Sequence, residues 1–147
     1  MRRSADLMHL LTRAERLLAR RLSAILDAEG QSLDAWRVVT LLADGDGHFM
    51  TELSERAFLP PGSLTRLVDH LVEDNLLYRR VDEIDRRRIR AYLTARGHRL
   101  HERVSEGVQA GLAEVPFADG DTADLTQLLD GLSEALSGTP ERVTAAP

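Results

Sequence analysis

Arg86, Arg87 and Arg88 directly follow Asp85 and form the longest basic run of the sequence. A guanidinium group presents planar N–H donors, which bind phosphate oxygens or the O6 and N7 atoms of guanine in pairs. Polar residues that suit the same partners occur earlier at helical spacing, namely Ser63, Thr65 and Arg66. These residue types favour binding to a polyanion over acid–base or nucleophilic chemistry.

The charge of the sequence is segregated, although its formal total is -5. Residues 76–103 contain nine arginines and four acidic residues, whereas residues 104–147 contain one arginine and eight acidic residues. A local basic patch, not a positive total, attracts a nucleic acid. The sequence has no lysine, so a coding bias explains the use of arginine but not its clustering.

Enzymatic and metal chemistry find little support. The absence of cysteine excludes disulfides, thiolate metal sites and cysteine nucleophiles. No nucleophile elbow, phosphate loop or zinc signature is present, so we expect no enzyme activity and no cofactor. His98, His101 and Glu102 have a spacing that a metal could use, but no further ligand converges on them in the sequence. We therefore expect solvated side chains there and no metal site.

The distribution of apolar residues predicts where in the cell the protein is found. No apolar run is long enough to cross a bilayer, and Met1-Arg2-Arg3 leads into polar residues rather than the apolar core of a signal peptide. We expect a cytoplasmic protein without a membrane partner.

Apolar periodicity predicts a mainly α protein with a small β-hairpin, an α+β fold. A long first helix ends near Gly30, and Ser32 caps a second helix that stops at the loop 44–47. Thr51 is expected to cap a short helix from Glu52 to Phe58.

The next helix starts at Pro61, because proline suits the first helical position, and ends at Asn75, which suits a left-handed C-cap. The period then changes to two, which predicts a hairpin over Arg79 to Tyr92. Thr94 caps a further long helix, and the last helix starts at Asp121 or Thr122.

Two short helices followed by an arginine-rich hairpin are typical of a helix-turn-helix with a wing. The second helix can enter the major groove of DNA and place Ser63, Thr65 and Arg66 near base edges. The hairpin tip is narrow enough for the minor groove, where inserted arginine is favoured. The expected partner is double-stranded DNA.

The sequence resembles the MarR family of bacterial transcription regulators. The resemblance rests on residues 64–71 (LTRLVDHL), 75–79 (NLLYR), 85–88 (DRRR) and 93–97 (LTARG). The resemblance implies a homodimer that binds a pseudo-palindromic operator. It also implies that Asp85 orients Arg87 and that Arg87 enters the minor groove. It also implies a small anionic or phenolic effector between the dimer interface and the winged domain.

Two positions depart from the family pattern. Pro60 stands where many members have a helix-capping serine, and Asn75 stands where glycine is usual. The first puts a hydroxyl contact to phosphate in doubt, whereas a left-handed conformation tolerates asparagine at modest cost.

These observations predict one domain over residues 1–137 with a disordered tail over 138–147. The winged helix-turn-helix spans about 33–93, and the long dimerisation helices span about 5–29 and 94–137. The apolar stripes of the terminal helices exceed what a small winged core can cover, which independently favours a homodimer.

The candidate DNA-binding residues are Ser63, Thr65, Arg66, Arg79, Asp85, Arg86, Arg87 and Arg88. His9 and Arg13 are candidates for the effector site, although an interface helix surface explains them equally well. Trp36 is a further candidate, although a lone tryptophan on an apolar stripe is more often part of the core. The alternative function is a winged helix that binds proteins and has lost DNA binding.

Overall fold

The computed structural model describes residues 2–117 and 120–138 of the chain. In order, the elements are α1 (Arg2–Ala28), α2 (Leu33–Leu42), β1 (His48–Phe49), α3 (Met50–Arg56), α4 (Pro61–Glu73), β2 (Leu77–Val81), β3 (Ile89–Leu93), α5 (Ala95–Ala113) and α6 (Asp121–Ser137). The expectation of a mainly α protein with a small β element is confirmed. The predicted disordered tail lies outside the described residues except for Gly138.

The chain divides into two compact units, Met1–Leu112 and Ala113–Pro147. The second unit contains α6, none of whose residues is buried. No helix within residues 2–117 and 120–138 has the length and apolar character that a bilayer span requires. A single domain over 1–137 stays a prediction.

The sheet of the first unit has three antiparallel strands in the order β1-β3-β2. Leu77 pairs with Leu93 and Val81 with Ile89, which forms the predicted hairpin. The sequence did not reveal β1, which pairs His48 with Ala91. Two residues are too few to show the alternation by which a strand is recognised.

A core of buried apolar side chains joins this sheet to the helices of the first unit. Leu64, Val68 and Leu71 bury one face of α4, and their spacing of four and three residues is that of one helical stripe. Each such leucine contributes about 1.5–3 kcal/mol when it is removed from water. The opposite face of α4 is therefore free to carry polar side chains.

The helix starts follow the sequence signals with one exception. Ser32 accepts a hydrogen bond from the amide of Ala35 at 3.1 Å, and Pro61 is the first residue of α4. The exception is α3, which begins at Met50 with Phe49 as its N-cap and no side-chain cap. Thr51 therefore lies inside the helix, and its predicted role as the cap was wrong.

Thr94 and Gly97 explain why the Leu-Thr-x-x-Gly segment is compact. The Thr94 hydroxyl donates to the carbonyl of Asn75 at 2.7 Å and accepts from the amide of Gly97 at 3.0 Å. A Cβ on Gly97 would collide with the carbonyl oxygen of Leu76. The hydrogen bond from Thr94 to Asn75 and the close packing of Gly97 on Leu76 hold the start of α5 against the end of α4.

Three helices end in the same backbone motif, with one residue in the left-handed region. These residues are Gly30, Phe58 and Asn75, at φ values of 68°, 54° and 58°. In the turn after α3, the amide of Leu59 donates to the carbonyl of Ser54 at 3.0 Å. Glycine and asparagine suit this conformation, but phenylalanine does not, and the Phe58 side chain is 92% exposed.

We predict that Phe58→Gly raises the free energy of unfolding by about 1 kcal/mol relative to Phe58→Ala, because only glycine escapes the left-handed penalty. Both variants remove the exposed ring, so Phe58→Ala is the matched control. Urea denaturation measures the difference. Equal stability of the two variants would show that this backbone conformation carries no cost.

Candidate nucleic-acid interface

The exposed face of α4 carries the first group of candidate residues. Thr65 and Arg66 are exposed, and Ser63 is half-buried. The Thr65 hydroxyl donates to the carbonyl of Pro61 at 2.9 Å. Since its proton is committed to the backbone, the Thr65 oxygen is left as an acceptor and its methyl group as an apolar contact.

The N-terminus of α4 lacks a side-chain cap. Its N-cap is Pro60, which makes no side-chain hydrogen bond, and Pro61 has no amide proton to donate. The free amides of the first turn therefore begin at Gly62 and Ser63, where a phosphate oxygen could accept from them.

The tip of the hairpin between β2 and β3 is closed by backbone and carboxylate hydrogen bonds. The amide of Asp82 donates to the carbonyl of Arg88 at 2.9 Å, and the amide of Arg88 donates to the carbonyl of Asp85 at 3.0 Å. The Asp82 carboxylate accepts from the amide of Asp85 at 2.9 Å and from Nε of Arg90 at 3.2 Å. The loop is thus held at its base by Asp82.

Asp85 contacts Arg87 through one carboxylate oxygen. Oδ1 accepts from the Arg87 amide at 3.2 Å and from Arg87 Nε at 3.3 Å. The Arg87 side chain remains 92% exposed. Because only Nε is engaged, both terminal nitrogens of this guanidinium keep their donors for an external acceptor.

Arg79 connects the hairpin to α4. Its Nη1 donates to Oδ1 of Asp69 at 2.7 Å, so β2 and the middle of α4 are joined by an ion pair. Sequence patterns do not indicate this pair, because its members lie ten residues apart in two different elements. Arg79 therefore has a structural partner in addition to its candidate role.

Phe49 is the second feature that the sequence did not reveal. The guanidinium carbon of Arg88 lies 3.4 Å from the centre of its ring, and that of Arg90 lies 3.9 Å away. Arg90 also donates to the carbonyl of Gly47 at 3.2 Å. No pattern in the sequence signals such a stack, since it depends on the pairing of β1 with β3.

A cleft of about 280 Å³ separates α4 from the hairpin. Four of the candidate DNA-binding residues line it, namely Thr65, Arg79, Arg87 and Arg88. Ser63, Arg66, Asp85 and Arg86 are not among its lining residues. The fold thus brings residues from α4 and from the hairpin, far apart in the sequence, to one surface.

The candidate effector residues are not brought together to the same degree. Trp36 of α2 is half-buried and stacks on His101 of α5, with ring centroids 5.3 Å apart and an interplanar angle of 14°. His9 and Arg13 are exposed on α1 and form no ion pair within the part of the chain that is described. The sequence analysis predicted a solvated His101 side chain. In the structure this side chain is instead half-buried and packs against the ring of Trp36.

Across residues 2–117 and 120–138, no three His, Cys, Asp or Glu side chains are grouped so that they could hold a metal ion.

Comparison with known proteins shows a similarity to one family of regulators. The sequence model of the MarR family matches residues 29–88, which span α2 through the wing loop. The chain is 29% identical over 98 residues, 67% of each protein, to the HTH-type transcriptional regulator FarR of Neisseria gonorrhoeae. The chain is therefore similar to MarR-family transcription regulators.

Two solved structures are similar to most of the chain. A MarR family protein from Bacillus stearothermophilus is 27% identical, with a TM-score of 0.76 over 93% of this chain and 97% of that chain. The structure of NadR in complex with 4-hydroxyphenylacetate is also 27% identical, with a TM-score of 0.75 over 84% of this chain and 89% of that chain. The chain thus has the winged-helix fold of these regulators, with α3 and α4 as its helix-turn-helix and the β2–β3 hairpin as its wing.

We predict that the pKa of the Asp82 carboxyl lies below its ordinary value of 3.8, chiefly because the amide of Asp85 donates to the ionised form. The guanidinium of Arg90 lowers the Asp82 pKa further, whereas burial opposes both effects. Because the folded pKa is depressed, Asp82 stabilises the wing at neutral pH, and this contribution is lost as the pH falls through the folded pKa.

An NMR titration of the Asp82 carboxyl carbon measures this pKa. Arg90→Met should return the midpoint only part of the way towards 3.8, since the Asp85 amide remains. A wild-type midpoint at or above 3.8 would contradict the hydrogen-bonded wing base.

Proposed function

We propose that this chain is a cytoplasmic transcription repressor that binds a pseudo-palindromic DNA operator as a homodimer and is released by a small anionic or phenolic ligand. The observation that carries the proposal is the cleft in which Thr65 of α4 lies beside Arg79, Arg87 and Arg88 of the wing. One surface thereby offers a polar helix face and a basic hairpin to a single duplex.

The polar face of α4 fits the major groove. That groove is about 12 Å wide and admits one α-helix. Arg66 is exposed and can donate to O6 and N7 of guanine, and the Thr65 oxygen can accept from an exocyclic amine. Ser63 lies in the first turn, where its hydroxyl or its amide can contact a phosphate.

The wing fits the adjacent minor groove. Arg87 is the most suitable probe, because Asp85 holds its Nε while the rest of its guanidinium is exposed. The narrow minor groove concentrates negative potential and favours such an inserted arginine. Arg86 is exposed beside it and is placed for a phosphate, as is Arg88 at the edge of the cleft.

Apolar surfaces of the long helices support the homodimer. A cavity of about 450 Å³ between α1 and α5 is lined mainly by apolar side chains, including Leu18, Leu22, Ile25 and Val108. Leu17 and Leu18 are about half exposed, at 48% and 50%. A second copy of the chain would cover these side chains and would place two reading helices about 10 base pairs apart.

The ligand is proposed from a relative and from one contact. NadR is described in complex with 4-hydroxyphenylacetate, a phenolic anion. In this chain Trp36 of α2 stacks on His101 of α5, so an aromatic ligand could pack against either ring at this junction. His9 and Arg13 are exposed cations or donors on α1 that could reach a carboxylate within a dimer.

Selection of bound sequences from random DNA, with and without 4-hydroxyphenylacetate, tests these statements together. We expect an inverted repeat with half-sites about 10 base pairs apart, recovered less efficiently in the presence of the ligand. A single asymmetric half-site would contradict the homodimer, and equal recovery would contradict release by this class of compound.

We predict that Arg87→Ala weakens operator binding by about 1–3 kcal/mol without unfolding the protein, because a minor-groove contact is lost. The matched control is Arg99→Ala, which removes the same charge from an exposed position of α5, outside the helix-turn-helix and the wing. Titration by gel shift measures both. Equal losses for the two variants would show that Arg87 acts only through net charge.

A further inference from the structure

The side chain of Phe49 does not cap the helix that it precedes. Phe49 is the N-cap residue of α3, and its side chain forms no hydrogen bond with the free amides of the first turn. Serine, threonine, aspartate and asparagine are preferred at an N-cap because they accept from the free amides of the first turn. A phenyl ring gives up that hydrogen bond, so its role lies in another contact.

That contact is with the wing. The guanidinium carbons of Arg88 and Arg90 lie 3.4 and 3.9 Å from the centre of the Phe49 ring, within the range of cation–π attraction. Arg88 and Arg90 differ in how their N–H donors are used. Arg90 also donates to Asp82 and to the carbonyl of Gly47, so its donors are used inside the protein.

Arg88 has no comparable side-chain partner. The Arg88 side chain forms no ion pair with the residues in 2–117 and 120–138. Its guanidinium instead lies over the ring of Phe49. An aromatic ring holds a guanidinium by its face, and it neither neutralises the charge nor occupies the N–H donors at the edge. A carboxylate would do both, as Asp69 does with Arg79.

We propose that Phe49 is a positioning residue for DNA binding, because it holds the Arg88 guanidinium at the cleft with its donors free for a DNA phosphate. Phe49, Arg88 and Thr65 line the same cleft, so the phosphate lies between the groove that receives α4 and the groove that receives the wing. The inference rests on the proposed function and adds a residue that does not itself contact DNA.

A double-mutant cycle on operator binding tests the inference. Phe49→Met removes the ring face but keeps an apolar side chain of similar length at this half-buried position. We expect it to weaken binding about fivefold, because an Arg88 side chain that the ring no longer holds must be ordered when it binds DNA. In the Arg88→Ala background the same substitution should have little effect on binding, because the other guanidinium on the ring, that of Arg90, stays bonded to Asp82 and Gly47.

Two further backgrounds separate positioning from a general structural role. In Arg87→Ala, whose side chain bonds to Asp85 and not to Phe49, Phe49→Met should again cost about fivefold. Phe49→Tyr, which keeps the ring, should bind as the wild type does. Thermal unfolding of each variant verifies that the fold is retained.

The outcomes distinguish the two proposals. If wild-type protein binds the selected operator but Phe49→Met costs the same with and without Arg88, the positioning role is overturned and the DNA-binding function stands. The same conclusion follows if Phe49→Tyr binds as poorly as Phe49→Met. If the wild type binds no duplex, the proposed function itself fails.

Discussion

The position of β3 between β1 and β2 is the constraint on which the proposed DNA-binding surface depends. Ala91 at its centre is fully buried and pairs with His48 on one side and with Arg79 on the other. His48 in turn bonds to Asp44 at 2.6 Å and to Glu52 of α3 at 2.8 Å. One strand therefore fixes the wing, through its hairpin, relative to the helix-turn-helix, through β1. A protein that reads two adjacent grooves needs this fixed distance.

Carboxylates refine that arrangement by holding particular arginines. Asp69 binds Arg79, Asp82 binds Arg90, and Asp85 binds Arg87. Each pair orients a guanidinium but neutralises part of its charge, and the exposed pair of Arg87 and Asp85 contributes little to folding stability. Their value lies in geometry, since a flexible arginine must lose side-chain entropy when it binds. Phe49 orients Arg88 without the loss of charge.

The sequence predicted the elements that short-range chemistry determines. Ser32, Pro61, Asn75 and Thr94 each mark a helix boundary through their own backbone preference, so their positions were evident from residue type alone. The hairpin was evident because its alternation extends over two strands. Family resemblance added the expected roles of Asp85 and Arg87 at the wing tip.

The features that the sequence did not show depend on tertiary contacts. A two-residue strand such as β1 has no period, and the stack of Arg88 on Phe49 exists only after β1 pairs with β3. Phe58 shows a different reason. Nothing in its residue type indicates a left-handed conformation, which the Schellman turn after α3 imposes. Thr51 was expected to cap α3 because hydroxyl residues usually do, yet Phe49 stands at that position.

The central claim is that the helix-turn-helix and the wing grip the phosphates of one duplex. It is tested most directly by the affinity of the wild-type protein for its operator over a series of salt concentrations. Neutralised phosphates release counterions, so the logarithm of the association constant should fall linearly with the logarithm of salt concentration. Four phosphate contacts would give a slope of about -3.6. An affinity that does not change with salt would contradict the account and would instead favour a winged helix that binds a protein.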